Sequence, residues 1–283
     1  MELFEEIEER FIDVNGIKLH TIIAGSGEPI IFLHGFPEFW YGWKNIILGL
    51  KNDFKLIVPD TRGINLSDRP EGVENYAMKF LINDVKKLSE ELNLGKFILC
   101  GHDWGGAIAW AFAEEHPELV KKLVIINAPH PKALQSAFRT SKEQKKASAY
   151  IFDFIKPGYE DIILADDCQM LKDTVFHGTN NEDVFSDFDK SKYMEAWKQP
   201  RAINAGLNYY RSMTANRNTV GIISVPTLVL HGMKDSYLRP VLLEILPELI
   251  KDLKIIKIED STHWVMQDAP DVVVSSIREF AKK

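Results

Sequence analysis

With 283 residues, 45% of them hydrophobic and 27% charged, the chain has the make-up of a soluble globular protein with one large domain and room for an insertion. Its formal net charge is −7, and it lacks a run of Lys and Arg interleaved with aromatics, so it carries no footprint for nucleic acid. The two cysteines, Cys100 in an apolar run and Cys168, do not make a disulfide framework. The acidic start MELFEEIEER and the lack of any apolar stretch of membrane length point to a cytoplasmic protein with no membrane partner.

The first pattern along the chain is an alternation of Phe11, Val14, Ile17, Leu19 and Ile22 broken by Asn15-Gly16, which reads as a hairpin adding antiparallel edge strands. Short β-branched runs follow at Ile30–Leu33, Leu56–Val58, Phe97–Cys100, Leu123–Ile126, Thr227–Leu230 and Ile255–Ile258, making eight strands. Helical patterns alternate with them, which predicts a mostly parallel sheet with helices on both faces. Met78, Leu81, Ile82, Val85, Leu88 and Leu92 fall at helical spacing, and Gly95 supplies a stop. The stretch Ala107–Ala113 is small or apolar all round and predicts a buried helix. From 132 to 214 the rhythm breaks into aromatic and acidic helical fragments without a strand, an inserted helical lid between core segments 1–131 and 215–283. The acids between Asp161 and Asp189 read as a solvated face and not as a metal site.

The chemistry centres on KFILC running into GHDWGG and then a helix, the strand-turn-helix context of a nucleophile elbow. Glycines at 101, 105 and 106 suit a sharp turn with close chain approach, and the apex residue is Asp103. An ionised carboxylate needs no proton removed before it attacks, and it can displace a leaving group from saturated carbon as an alkyl ester. The helix N-terminus favours its charged form by about 1 kcal/mol. The plainer alternative is that Asp103 only caps that helix.

The neighbouring motifs resemble those of α/β-hydrolases over nearly the whole chain. HGFPEFW (His34–Trp40) is similar to the oxyanion loop, and DTRGINLSD resembles the loop after the next strand, with Asn65 where a second glycine is expected. Asn tolerates the left-handed conformation, so little is lost by that change. HGMKDSYL places Asp235 at the family's acid, and STHWVMQDAP places His263 just past the last strand, giving the order nucleophile, acid, base. His34, His102 and His231 lie inside loop motifs and read as residues that hold turns together.

HGFP, GHDWGG and NAPHP occurring together make the chain most similar to soluble epoxide hydrolases, and two tyrosines match that family's lid pair. Tyr150 precedes Lys156-Pro157-Gly158, and Tyr210 lies in LNYYR beside Tyr209. Adjacent helical residues point about 100° apart, so one of the two faces the site, and the motif favours Tyr210. The resemblance implies that Asp103 attacks an epoxide carbon while Tyr150 and Tyr210 hold the ring oxygen. Water activated by His263 and Asp235 then cleaves the ester, with the N–H groups of Phe36 and Trp104 as oxyanion hole. It implies a small apolar epoxide and water as partners and neither cofactor nor metal. Phe36, Trp104, Phe138 and Phe152 are expected to shape the pocket, and a homo-oligomer is left open. Two other readings stand beside it: a haloalkane or haloacetate dehalogenase, which shares the elbow Asp, and a noncatalytic small-molecule-binding protein on the same scaffold.

Overall fold

The computed structural model describes residues 7–213 and 220–282. The strands β1 (Ile7–Val14), β2 (Ile17–Ala24), β3 (Glu28–Leu33), β4 (Phe54–Pro59), β5 (Phe97–His102), β6 (Val120–Ile126), β7 (Thr227–Gly232) and β8 (Leu253–Ile258) form one sheet in the order β1-β2-β4-β3-β5-β6-β7-β8. Asn15 (φ 47°) and Gly16 (φ 78°) are both left-handed, as a two-residue hairpin turn requires. Only β2 opposes its neighbours; it pairs antiparallel with both β1 and β4, and every other pairing is parallel. The central strands are continuous apolar runs because both faces are covered. Ile30, Ile31 and Phe32, for example, have no exposed surface, and each such side chain stabilises the fold by about 1.5–3 kcal/mol.

Strand order decides where the helices go. From β3 the chain steps one way to β4 and then back across β3 to β5. With right-handed crossovers, this reversal puts α1 (Lys44–Leu50) and α2 (Met78–Glu91) on opposite faces. Accordingly α1 packs with the C-terminal helix Pro270–Lys282, and α2 packs with α3 (Trp104–Glu115). In α3 every residue from Trp104 to Ala113 except Ala107 is buried, as its lack of a polar face requires. The stop of α2 falls earlier than Gly95: Asn93 takes the left-handed conformation (φ 50°), and the Leu94 N–H reaches back to Ser89 O at 3.0 Å.

Between β6 and β7 lie α4 (Pro131–Thr140), α5 (Lys142–Ala147), α6 (Ile151–Phe154), α7 (Tyr159–Val175), α8 (Asp187–Trp197) and α9 (Ala202–Met213), with no strand among the described residues of this stretch. The expected start at 132 falls one residue inside α4; the expected end at 214 lies outside the described residues. The helix α7 is broken at Ala165–Cys168, where Asp166, Asp167 and Cys168 have positive φ. Most acids of this region are solvated, as expected, but Asp189 is buried. It accepts from Tyr41 Oη at 2.7 Å and pairs with Lys44, tying α8 to the segment after β3. No described helix is long and apolar enough to cross a membrane.

Candidate active site

In open α/β sheets the crevice forms beyond the carboxyl ends of the strands where the order reverses, here between β3 and β5. Their register sets Leu33 beside Gly101, so the loops carrying Phe36 and Asp103 emerge side by side. Asp103 sits between β5 and α3 at φ 50°, ψ −118°, a conformation that costs a residue with a side chain about 1–3 kcal/mol. Its side chain makes no capping bond to α3. Instead Oδ1 accepts the Phe36 N–H at 3.0 Å, and Oδ2 faces His263 Nε2 at 3.8 Å. The plainer role as a helix cap is therefore not the one its carboxylate fills. Glycine is required on both sides of this turn: a β-carbon at Gly35 would lie 2.4 Å from the Asp103 side chain, and one at Gly105 would lie 2.1 Å from Leu33 O.

His263 and Asp235 meet from the ends of β8 and β7. His263 Nδ1 lies 2.8 Å from Asp235 Oδ2, which directs Nε2 at Asp103. Asp235 is fully buried and held on all sides. Its Oδ1 accepts from the N–H groups of Tyr237 (2.7 Å) and Leu238 (2.9 Å), and its Oδ2 also accepts from Asn127 Nδ2 at 2.5 Å. Burial alone would raise its pKa, but His263 and these donors outweigh it and bring the value down to about 2. Burial likewise favours a neutral His263, yet the charges of Asp235, Asp103 and Glu38 prevail and lift it to about 9. Asn127 positions this acid, a role that sequence reasoning did not assign. Its Oδ1 accepts from Gly232 N at 3.0 Å while its Nδ2 holds Asp235 across 108 positions of chain.

Behind the elbow lies a second polar layer, also missed from sequence. His102 Nε2 donates to the His263 carbonyl at 3.0 Å, and its Nδ1 is 3.4 Å from Glu38 Oε2. Glu38, 1% exposed, accepts from Tyr193 Oη and Gln267 Nε2. The other loop histidines do hold turns: His34 bonds Gly35 O and receives the Thr61 N–H, and His231 bonds Leu238 O. Asn65, left-handed at φ 46°, adds a bond to Asp60.

The insertion supplies the opposite wall. Tyr150, just ahead of α6, and Tyr210, on α9, have ring centroids 6.1 Å apart and line one cavity of about 630 Å³ together with Asp103, Trp104 and Phe138. Trp104, the first residue of α3, meets the Tyr210 ring edge-on at 5.1 Å. Burial first, and then the Asp103 charge among others, pushes both phenols well above their ordinary range, so both carry their protons at neutral pH. Tyr209 points elsewhere and donates to Arg62 O at 2.7 Å. Phe36 meets Tyr210 edge-on, but Phe152 is 68% exposed, and the aromatic beside Tyr210 is Phe154. Residues two apart on a helix point about 200° apart, which explains the exchange. The insertion is stitched to the acid's loop by buried Gln144 of α5, whose Nε2 donates to Tyr237 O at 2.9 Å and whose Oε1 accepts the Arg239 N–H at 2.8 Å.

A carboxylate at a strand-to-helix elbow, a His–Asp pair behind it and a strand order reversing at β3 define an α/β-hydrolase, and the α/β-hydrolase-fold family model matches residues 28–270. Among its relatives is the AB hydrolase superfamily protein YfhM of Bacillus subtilis (strain 168), 36% identical over 96% of this chain and 97% of that protein. Epoxide hydrolase 1 of Caenorhabditis elegans is 34% identical over 99% of this chain and 72% of that protein. The crystal structure of Bacillus megaterium epoxide hydrolase with an inhibitor superposes with a TM-score of 0.92 at 30% identity, covering 97% of this chain and 100% of that one. The chain belongs to the epoxide hydrolase family of the α/β-hydrolases.

Proposed function

We propose that this protein hydrolyses epoxides to vicinal diols through a covalent ester on Asp103. The observation that carries this reading is that Tyr150, Tyr210 and the Asp103 carboxylate line a single cavity, where burial favours the protonated form of both phenols. Opening an epoxide at neutral pH needs a nucleophile for carbon and a proton donor for oxygen, and this arrangement supplies both. The relatives named as epoxide hydrolases support the same activity.

Asp103 Oδ2, the oxygen Phe36 does not hold, attacks an epoxide carbon; the C–O bond breaks, and its electron pair passes to the oxygen, which takes a proton from Tyr150 or Tyr210. The product is a β-hydroxyalkyl ester whose carbonyl oxygen is Oδ1, already bonded to the Phe36 N–H. Esterification removes the Asp103 charge that helps keep His263 protonated, so the imidazole becomes a stronger candidate for the neutral base at the moment one is needed. The 3.8 Å between Nε2 and Oδ2 is too long for a direct bond and leaves an approach for water. His263 takes a proton from that water, and hydroxide adds to the ester carbonyl. The oxyanion is held by the N–H groups of Phe36 and Trp104; collapse breaks the ester C–O bond, the departing diol oxygen takes the proton of the regenerated Asp103 carboxyl, and the proton held by His263 returns to the tyrosinate, restoring the resting site. In this scheme residues 132–214 act as a lid over a core made of 1–131 and 215–283.

Incubation with aryl and alkyl epoxides and with haloalkanes tests the reading. Diol formation is the expected result; halide release would move the assignment to a dehalogenase, and binding without turnover of either class would make the protein a noncatalytic receptor.

A further inference from the structure

The outer face of the insertion carries an unbalanced charge. Between Pro131 and Ala149 lie five cations, Lys132, Arg139, Lys142, Lys145 and Lys146, and a single acid, Glu143, in a chain whose net charge is −7. All five cations are exposed, and none pairs with a carboxylate among the described residues. Several exposed lysines elsewhere are balanced, as Lys87 is by Glu90, Lys121 by Glu28 and Lys198 by Asp167. Folding fixes the direction of the unbalanced ones. On α4, Ala133 and Ala137 are buried, so Lys132, Gln135 and Arg139 share the outer sector. On α5, buried Gln144 is bonded to Tyr237 O and Arg239 N, and Lys142 and Lys146, two residues to either side, lie about 160° away from it in solvent. Turn bonds continue past α5, from Ala149 N to Lys146 O at 3.2 Å and from Phe152 N to Ala149 O at 3.1 Å. Lys145, Ala149 and Phe152 therefore follow at helical spacing, all three exposed. Phe152, at 68%, is the most exposed large hydrophobic side chain among the described residues.

A single exposed aromatic is ordinary on a protein surface, but one set among unpaired ammonium groups has the composition of a surface that rests on lipid. We infer that this face docks on a lipid leaflet carrying anionic headgroups, with the five cations over the phosphates and Phe152 entering the acyl boundary. This departs from the sequence expectation of no membrane partner, which rested on the lack of a spanning stretch; peripheral docking needs none. Lipid is favoured over an acidic protein because lysine is depleted at protein interfaces, whereas its long stem follows a fluid layer of headgroups. The negative charge of the whole chain does not cancel the attraction, since acids more than about 10 Å away are screened at about 0.1 M salt. Lys132 and Arg139 also line the cavity, so the docked face is the one on which the cavity opens. The inference stands apart from the chemistry at Asp103 and does not depend on it.

The test is sedimentation with vesicles of phosphatidylcholine alone and of an equal mixture of phosphatidylcholine and phosphatidylglycerol. The protein should be retained on the mixed vesicles, stay free of the neutral ones, and be released by high salt. Each Lys or Arg at an anionic leaflet contributes a factor of about five in affinity, so Lys142→Gln/Lys145→Gln/Lys146→Gln should weaken binding about tenfold or more, with melting temperature unchanged. A control with the same change of net charge, Lys87→Gln/Lys121→Gln/Lys254→Gln, alters α2 and the amino ends of β6 and β8, on other parts of the surface, and should bind like the unaltered protein. Phe152→Cys can be labelled selectively with a polarity-sensitive dye because Cys100 and Cys168 are buried, and its emission should shift to the blue on mixed vesicles only. Failure to bind mixed vesicles, an equal loss in the two triple variants, or a dye that stays in water overturns the inference. Binding to heparin without binding to mixed vesicles would give the face to a soluble acidic partner and overturns it too. None of these outcomes bears on epoxide hydrolysis.

Discussion

Asp103, Asp235 and His263 stand on loops leaving the sheet, whereas Tyr150 and Tyr210 come from the helical insertion, and the two groups are held in place by different physics. The core residues are fixed by hydrogen bonds: Asp235 alone accepts from His263, Asn127 and two backbone N–H groups, and the register of β3 and β5 sets the carboxylate against Phe36 N. The tyrosines are fixed by aromatic edges, Tyr150 on Phe154 and Tyr237, Tyr210 on Phe36, Trp104 and Phe154. Directional bonds hold a base and its acid to one geometry, while ring packing lets a wall adapt to different substrates. In the proposed chemistry, ring opening needs both groups and ester hydrolysis needs only the core.

That difference can be broken most severely by changing Tyr150 and Tyr210 to Phe together. Loss of both proton donors should slow ester formation by about a thousandfold or more in single-turnover measurements. Hydrolysis of ester already formed should be little changed; an equal effect on both steps would contradict the division. Next comes Asn127→Ala, which takes a bond from buried Asp235 at a cost of about 1–3 kcal/mol. It should slow ester hydrolysis about tenfold, lower thermal stability, and leave ester formation within a few-fold. A selective loss of ester formation would move Asn127 out of its assigned place. Gln144→Ala, which unties the insertion from the acid's loop, should reduce both steps several-fold because it touches both halves.

Smallest is the effect of pH. His263, raised to about 9, contributes stability in full below about pH 6.5, and that contribution fades as pH climbs through 9; Asp235, lowered to about 2, contributes in full above about pH 4 and loses it as pH falls toward 2. The unesterified protein should accordingly be most stable between about pH 4 and 6.5 as far as this pair is concerned, a window that denaturant titrations across pH will check. Ester hydrolysis should instead speed up with rising pH, with a midpoint below 9, since the ester lacks the Asp103 charge. A flat profile between pH 6 and 10 would remove His263 as base.

The sheet and the elbow were readable from the amino-acid order because local chemistry decides them. Buried strands must be β-branched runs, and GHDWGG must contain small residues where Gly105 meets Leu33 O. What was hidden depends on distance in space. Asn127 meets Asp235 108 positions away, and Glu38 meets Gln267 229 positions away, with no local pattern marking either contact. Direction within short helices was hidden too: Phe152 was expected in the pocket, yet it turns to solvent while Phe154 faces Tyr210, because α6 is too short to display a period. The two neighbours on the longer α9 do part as their 100° spacing requires: Tyr210 lines the cavity, while the Tyr209 hydroxyl donates to Arg62 O.

The central claim is a covalent ester on Asp103 that His263 is needed to clear. His263→Gln mixed with an epoxide should gain the mass of one intact epoxide, and peptide mapping should place it on the segment containing Asp103. A protein of unmodified mass, or an adduct on any other residue, would contradict the account.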